Sequence, residues 1–177
     1  LLGIILGLMM CFDLGGPVNK AAYLFATAGL STGDESSMQI MAAVMASGMV
    51  APIALSLATF IRKSLFTPAE QENGKSAWLL GLSFVSEGAI PFAAADPFRV
   101  IPSMMAGGAV TGAVSMALSV GSRAPHGGVF VLFAIDPFWG YLVAIAAGVV
   151  VSTAAVLAMK QFWPSKAVEE AAQNVAA

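Results

Sequence analysis

Three stretches of this chain run without a charged residue for longer than a bilayer is thick. Ser36–Ile61 covers 26 residues, Val100–Ser122 covers 23 and Pro137–Met159 covers 23 with no Asp, Glu, Lys or Arg. A helix rising ~1.5 Å per residue needs about 20 residues to cross ~30 Å of hydrocarbon. Each stretch is therefore long enough to span a membrane as a helix. Barrel strands are excluded, because they alternate polar and apolar residues over segments of ~10 residues. Composition agrees. Of 177 residues, 58% are hydrophobic before the 18 glycines are counted, and only 10% are charged, against ~25% in a soluble domain. So few charges cannot cover a water-facing surface, which excludes a soluble enzyme and a disordered tail. A net charge of −2 without a basic cluster excludes a nucleic-acid binder. The single cysteine excludes a disulfide scaffold and a Cys-based zinc site, and one histidine makes no metal centre; no cofactor is expected.

The remaining apolar stretches are short. Leu1–Phe12 has neither the basic start nor the cleavage site of a signal peptide, and reads as the tail of a helix that begins earlier in a longer protein. Ala21–Gly33, Ala77–Ser86 and Ala124–Ile135 lie beside Gly, Pro and lone charges. Such segments between full spans mark re-entrant or discontinuous helices that line a binding site; surface loops are the alternative, which their hydrophobicity disfavours. The fold expected is an all-α integral membrane protein of transmembrane helices and re-entrant hairpins over residues 1–163, followed by a polar, Ala-rich cytoplasmic tail at 164–177.

Local signals refine the boundaries. Asp96-Pro97 and Asp136-Pro137 each precede a long apolar run, as an N-cap followed by a first-turn proline would. Thr67-Pro68-Ala69-Glu70 is a capping box that predicts a short polar helix through Lys75, placed at the membrane surface by Glu70, Glu72 and Lys75. Gly3/Gly7 and Gly108/Gly112 form small-xxx-small pairs that let helices approach closely. Arg62 and Lys63 close the first span, and Lys160 and Lys166 the last, which puts both ends on the cytoplasmic side. Val100–Ser122 then crosses outward, and Ala77–Ala95 dips into the membrane and returns.

A few polar residues do not belong in such a sequence. Glu87 is the only charge between Ala77 and Ala95. An acid at bilayer depth costs ~2.5–3.5 kcal/mol on insertion scales, so it faces a cavity or substrate, or pairs with Arg99 or Lys20. Gly88 and Pro91 break the helix around it. His126, in Ala124-Pro125-His126-Gly127-Gly128, can both donate and accept, which suits a sugar hydroxyl; a structural role is the alternative. The stretch from Asp13 to Lys20 holds a Gly-Gly-Pro turn whose N–H groups can meet anions or hydroxyls, or else simply joins two helices with Asp13 and Lys20 paired. Asp96 reads as a helix cap before a ligand, and Arg99 either pairs with Glu87 or marks the interface. Cys11, between Met10 and Phe12, reads as apolar filling.

Four of these stretches resemble the membrane-embedded enzyme IIC of the bacterial phosphoenolpyruvate:sugar phosphotransferase system, fructose family. They are Asp13–Tyr23, Gly81–Ile101, Pro102–Met116 and Arg123–Leu132, and the resemblance reaches to about Trp163. The family carries a Glu in a T-E-G-A-I-P-F segment; here Ser86 replaces the Thr and keeps the hydroxyl. The resemblance implies that Glu87 and His126 contact the sugar, with Asn19 and Lys20 as further contacts; beside it, the residues themselves offer Asp13, Ser86, Asp96 and Arg99 as supporting candidates. It further implies the C-terminal half of a IIC, a homodimer when full-length, in the lipid bilayer of the bacterial cytoplasmic membrane. The expected function is binding and translocation of fructose or a related sugar. The chain is then no enzyme alone, since a separate cytosolic IIB domain phosphorylates the sugar. A different class remains open: an ion- or proton-coupled transporter with Glu87 as the proton carrier. A purely structural membrane subunit would leave Glu87 unexplained.

Overall fold

The computed structural model describes residues 1–164, 166, 168–170 and 173. More than half of the expected tail at 164–177 lies outside the described residues. Among the described residues, seven α-helices follow in chain order: α1 (Leu2–Phe12), α2 (Pro17–Leu30), α3 (Glu35–Ile61), α4 (Pro68–Leu82), α5 (Ile90–Ala95), α6 (Pro97–Ala117) and α7 (Phe138–Phe162). Three of them, α3, α6 and α7, are long and apolar enough to cross a membrane. They coincide with the three charge-free stretches, and the all-α membrane architecture stands.

The 27-residue α3 is the axis of the bundle. Residues 41–51 are buried around its whole circumference, so protein rather than lipid surrounds it. Without a hydrophobic drive between helices in lipid, packing rests on small residues and hydrogen bonds to backbone. Both are present. Ser47 donates to the carbonyl of Gly108 on α6 (3.2 Å), Ser56 to Gly74 on α4 (2.6 Å), and Thr153 on α7 to Ala54 (3.3 Å). The two glycine pairs read from the sequence meet each other: Gly3 lies against the carbonyl of Gly112 and Gly7 against that of Gly108, fastening α1 antiparallel to α6.

These contacts fix the depth of every element. Gly48 is the midpoint of α3, ~20 Å from either end at ~1.5 Å per residue. α1 starts level with the C-terminal half of α6 and stops at mid-depth, where the Cys11 thiol donates to the Ser47 carbonyl (3.4 Å). α2 returns to the start of α3, where Gly29 meets Ser37. This is one half-depth hairpin, with its tip at 13–16. The second comes from the opposite end. Along α4, Gly74 lies against Thr59 and Gly81 against Pro52 and Met49, so the helix climbs from the end of α3 to its middle. A turn of 3₁₀ helix at Ser86–Ala89 forms the tip, and α5 descends until Phe92 meets Phe66 edge-on at 6.4 Å. A third, shorter excursion joins α6 to α7. Two strand pairs, Gly121 with Asp136 and Ser122 with Ile135, make β1 and β2 at the end of the bundle where α3 starts, and the residues between them dip into the bundle as a 3₁₀ run at Gly128–Ala134.

Four expectations need correction. The capping box at Thr67–Glu70 forms with both reciprocal bonds, but its helix does not stop at Lys75; it continues to Leu82, because the polar turn and the following apolar stretch are one helix. Glu70 is buried rather than at the surface. Asp136 is not an N-cap, since it sits in β2 and α7 begins two residues later at Phe138. Asp96 holds the N-cap position of α6 but makes no capping bond, its carboxylate being taken by two cations.

Candidate functional site

A helical proline sets the position of the second tip. Pro52 has no N–H, so the carbonyl of Gly48, four residues back in α3, loses its helical partner. An unpaired carbonyl in an apolar interior is costly. The hydroxyl of Ser86 donates to it at 2.8 Å, and the tip is thereby pinned to the midpoint of α3. Glu87 is the next residue, and its carboxylate is carried out over the first tip. A Cβ on Gly15 would stand 2.7 Å from Glu87 Oε1, which shows how closely the two tips approach, and the backbone at Gly15, with φ +106°, favours glycine.

The first tip is held by its own acid. Asp13 accepts from the N–H of Val18 (2.7 Å) and of Asn19 (2.9 Å), satisfying first-turn donors of α2. It does not pair with Lys20. The Asn19 side chain is buried and donates back to the carbonyl of Met10 (2.7 Å), which ties α2 to α1. From the third excursion comes His126, in a turn where Gly127 has φ +121°.

Between the three elements lies a cleft of about 480 Å³, lined by Asn19, Lys20, Tyr23, Phe84, Val85, Ser86, Glu87 and His126. That volume is within the ~300–1,000 Å³ common to small-molecule sites. Its apolar wall is a cluster of rings: Phe84 is 5.0 Å from His126 and 5.9 Å from Tyr23, and Tyr23 meets His126 edge-on at 6.5 Å. Its polar side is Glu87, Lys20 and His126. All three are open to the cleft, and among the described residues none makes a side-chain hydrogen bond or ion pair.

The candidate residues thus divide. Glu87, His126, Asn19, Lys20 and Ser86 converge on one cleft, with Asp13 supporting the tip from behind. Asp96 and Arg99 lie elsewhere, paired with each other at 2.8 Å at the far end of the hairpin, and Arg99 does not reach Glu87. Three lining residues, Tyr23, Phe84 and Val85, escaped sequence reasoning. Tyr23 follows Asn19 by four positions and so shares its helix face, a signal that was there to use. Phe84 gave none. It ends α4 in the left-handed region (φ +64°), where glycine is usual, and its ring fills the space over Gly48.

Full spans with discontinuous helices whose tips meet around a polar cleft at mid-depth define a class: multi-pass membrane proteins of the permease type. Comparison with known proteins narrows it. The chain is 56% identical over 164 residues to the PTS fructose-specific EIIB'BC component of Escherichia coli (strain K12), covering 91% of this chain and 29% of that protein. It is 54% identical over 171 residues to the EIIB'BC component of Vibrio cholerae, covering 95% of this chain and 29% of that protein. With the PTS fructose-specific EIIC component of Haloferax volcanii it shares 49% over 166 residues, 94% of this chain and 44% of that one. The chain belongs to the fructose family of PTS enzyme IIC, and spans less than half the length of these curated relatives. No family model matches the chain, and no solved structure does.

Proposed function

We propose that the cleft binds a sugar of the fructose type, and that the chain supplies binding and passage in a phosphotransferase permease. One observation carries this reading: an acid, a base and an imidazole, none of them partnered among the described residues, converge at mid-depth on a ring-lined cleft. Glu87 accepts from sugar hydroxyls, His126 and Lys20 donate, and the rings of Tyr23 and Phe84 cover the apolar face. The relatives' names, which join fructose specificity to a B component, support a IIB domain as the phosphoryl donor. Cys11 is buried in α1 with its thiol on a carbonyl, which is no setting for a phosphocysteine. The chain is then one part of a transferase complex rather than a catalyst alone. Residues 1–163 form its permease part, in the lipid of a bacterial cytoplasmic membrane, and the full-length protein is a homodimer.

The unpaired Glu87 also favours a second reading, a proton-coupled carrier. Uptake into de-energised vesicles separates the two: it needs phosphorylated IIB in the first case and an ion gradient in the second. For the site itself, Glu87→Gln keeps the size and removes the charge-assisted bond. Fructose affinity of the full-length permease should fall by ~1.5–3 kcal/mol, roughly 10- to 150-fold. Unchanged binding by a folded variant would sink the assignment.

A further inference from the structure

Four ionisable side chains cluster where the legs of the second hairpin end, and the sugar reading uses none of them. Glu70 stands on the first turn of α4 and Asp96 directly after α5, so they mark the two feet of the hairpin that carries Glu87. Lys160, on the last turn of α7, reaches both: its Nζ lies 3.1 Å from Glu70 Oε1 and 3.2 Å from Asp96 Oδ2. Asp96 also takes Arg99 at 2.8 Å, and Arg99 donates to the carbonyl of Pro164 at 2.9 Å. The ammonium of Lys160 sits 4.6 Å over the ring of Phe66, and the Arg99 guanidinium 5.1 Å over Trp163. Glu70, Asp96, Arg99 and Lys160 are 2, 7, 8 and 3% exposed, and their charges cancel.

A balanced buried cluster of this kind is weak evidence for stability, because desolvation offsets most of the attraction. Its geometry does something else. One ammonium joins two chain positions 26 residues apart, and everything between them is the hairpin. With the feet clipped together on α7 and the tip hung on Gly48 through Ser86, the depth of Glu87 is set at both ends. We propose that Lys160 is a positioning residue of the cleft: it clips the feet of the α4–α5 hairpin and so holds Glu87 against Gly15. The link to sugar rests on the reading of the cleft given above.

The test uses the full-length permease. Lys160→Met alone strands a buried carboxylate and is prone to misfold. The balanced double variant Glu70→Gln/Lys160→Met avoids this, since Asp96 keeps Arg99 and Gln still completes a capping box. Two readouts are taken: fructose affinity, and amide exchange at residues 83–90. Exchange needs no ligand, and the amides of Phe84, Val85, Gly88 and Ile90 are hydrogen-bonded in the folded tip, so they report its release. The double variant should speed exchange at 83–90 about tenfold, leave 45–50 of α3 unchanged, and weaken fructose binding about tenfold. Wild-type exchange at the tip would overturn the clip whatever the sugar does. Equal acceleration at 45–50 would overturn it too, showing a general stabiliser. A released tip with undiminished fructose affinity would uphold the clip and overturn the placement of sugar at Glu87.

Discussion

The bundle holds two groups of charged side chains and treats them in opposite ways. At the feet of the second hairpin, Glu70, Asp96, Arg99 and Lys160 are sealed from solvent and each has a partner of opposite sign. At its tip, a helix length away, Glu87 faces Lys20 and His126 across open space without touching either. Both groups violate the apolar rule for membrane sequences. The paired group has spent its charge on neighbours, and what it offers is geometry. The unpaired group keeps its hydrogen-bonding capacity, which can be used only on something that enters the cleft. An ionisable residue in a span is therefore a functional signal only after its partners are known.

Removing one member of the paired group gives the largest effect. Asp96→Ala leaves Lys160 and Arg99 buried with one acid between them, and breaking such a pair costs about 3–5 kcal/mol. Thermal unfolding of the full-length permease in detergent should show a large loss. Glu87→Gln in the same assay should stay within about 0.5 kcal/mol of the parent, because no partner is left behind. Equal losses for the two variants would erase the distinction between the groups.

A smaller effect sharpens how the tip is held. Ser86→Ala strips the Gly48 carbonyl of its donor, at about 1–3 kcal/mol. The orphan exists only because residue 52 is proline. Pro52→Ala restores a helical N–H, so the Ser86→Ala/Pro52→Ala pair should recover part of the loss, and a double-mutant cycle measures how much. Strict additivity would show that the two residues do not share this carbonyl.

The sequence carried the spans and the hairpins because both depend on local quantities: run length without charge, and where Gly and Pro interrupt it. The glycine pairs were visible too, although not that Gly3 and Gly7 would meet Gly112 and Gly108, since partner choice is a long-range matter. Charge partners were hidden for the same reason. Nothing near Lys160 in sequence points to Glu70, 90 residues away, so Lys160 reads as an interfacial flank and Glu70 as a surface residue. The cleft residues were legible as oddities, one acid and one histidine where none is expected. The ring wall was not, because Phe is ordinary in a membrane helix and only the left-handed turn at Phe84 marks it out.

His126 tests the open group more gently. As a neutral donor its bond is worth about 0.5–1.5 kcal/mol, so His126→Gln should retain part of the fructose affinity and His126→Ala should retain less. Incubating the complete phosphorelay with the permease should leave no acid-labile phosphate on this residue. Stoichiometric label there would turn the imidazole from a donor into a phosphoryl carrier.

The smallest effect belongs to an acid outside both groups. Asp34 caps α3 from fully exposed ground, and its carboxyl is pulled down to about 2 by the hydroxyl of Thr32 first, then by the N–H and hydroxyl of Ser37. The folded value lies below the ordinary 3.8, so the proton is bound more tightly when the chain is unfolded. The cap's contribution is then complete above the unfolded value and is lost as pH falls through about 2. Solvent screens an exposed carboxylate, so the consequence is local fraying and not unfolding. Amide exchange at Ser37 should be faster in Asp34→Ala than in the parent at neutral pH, and the difference should close on acidification through that window. A difference that persists undiminished well below pH 2 would mean that something other than the ionised carboxylate holds the first turn of α3.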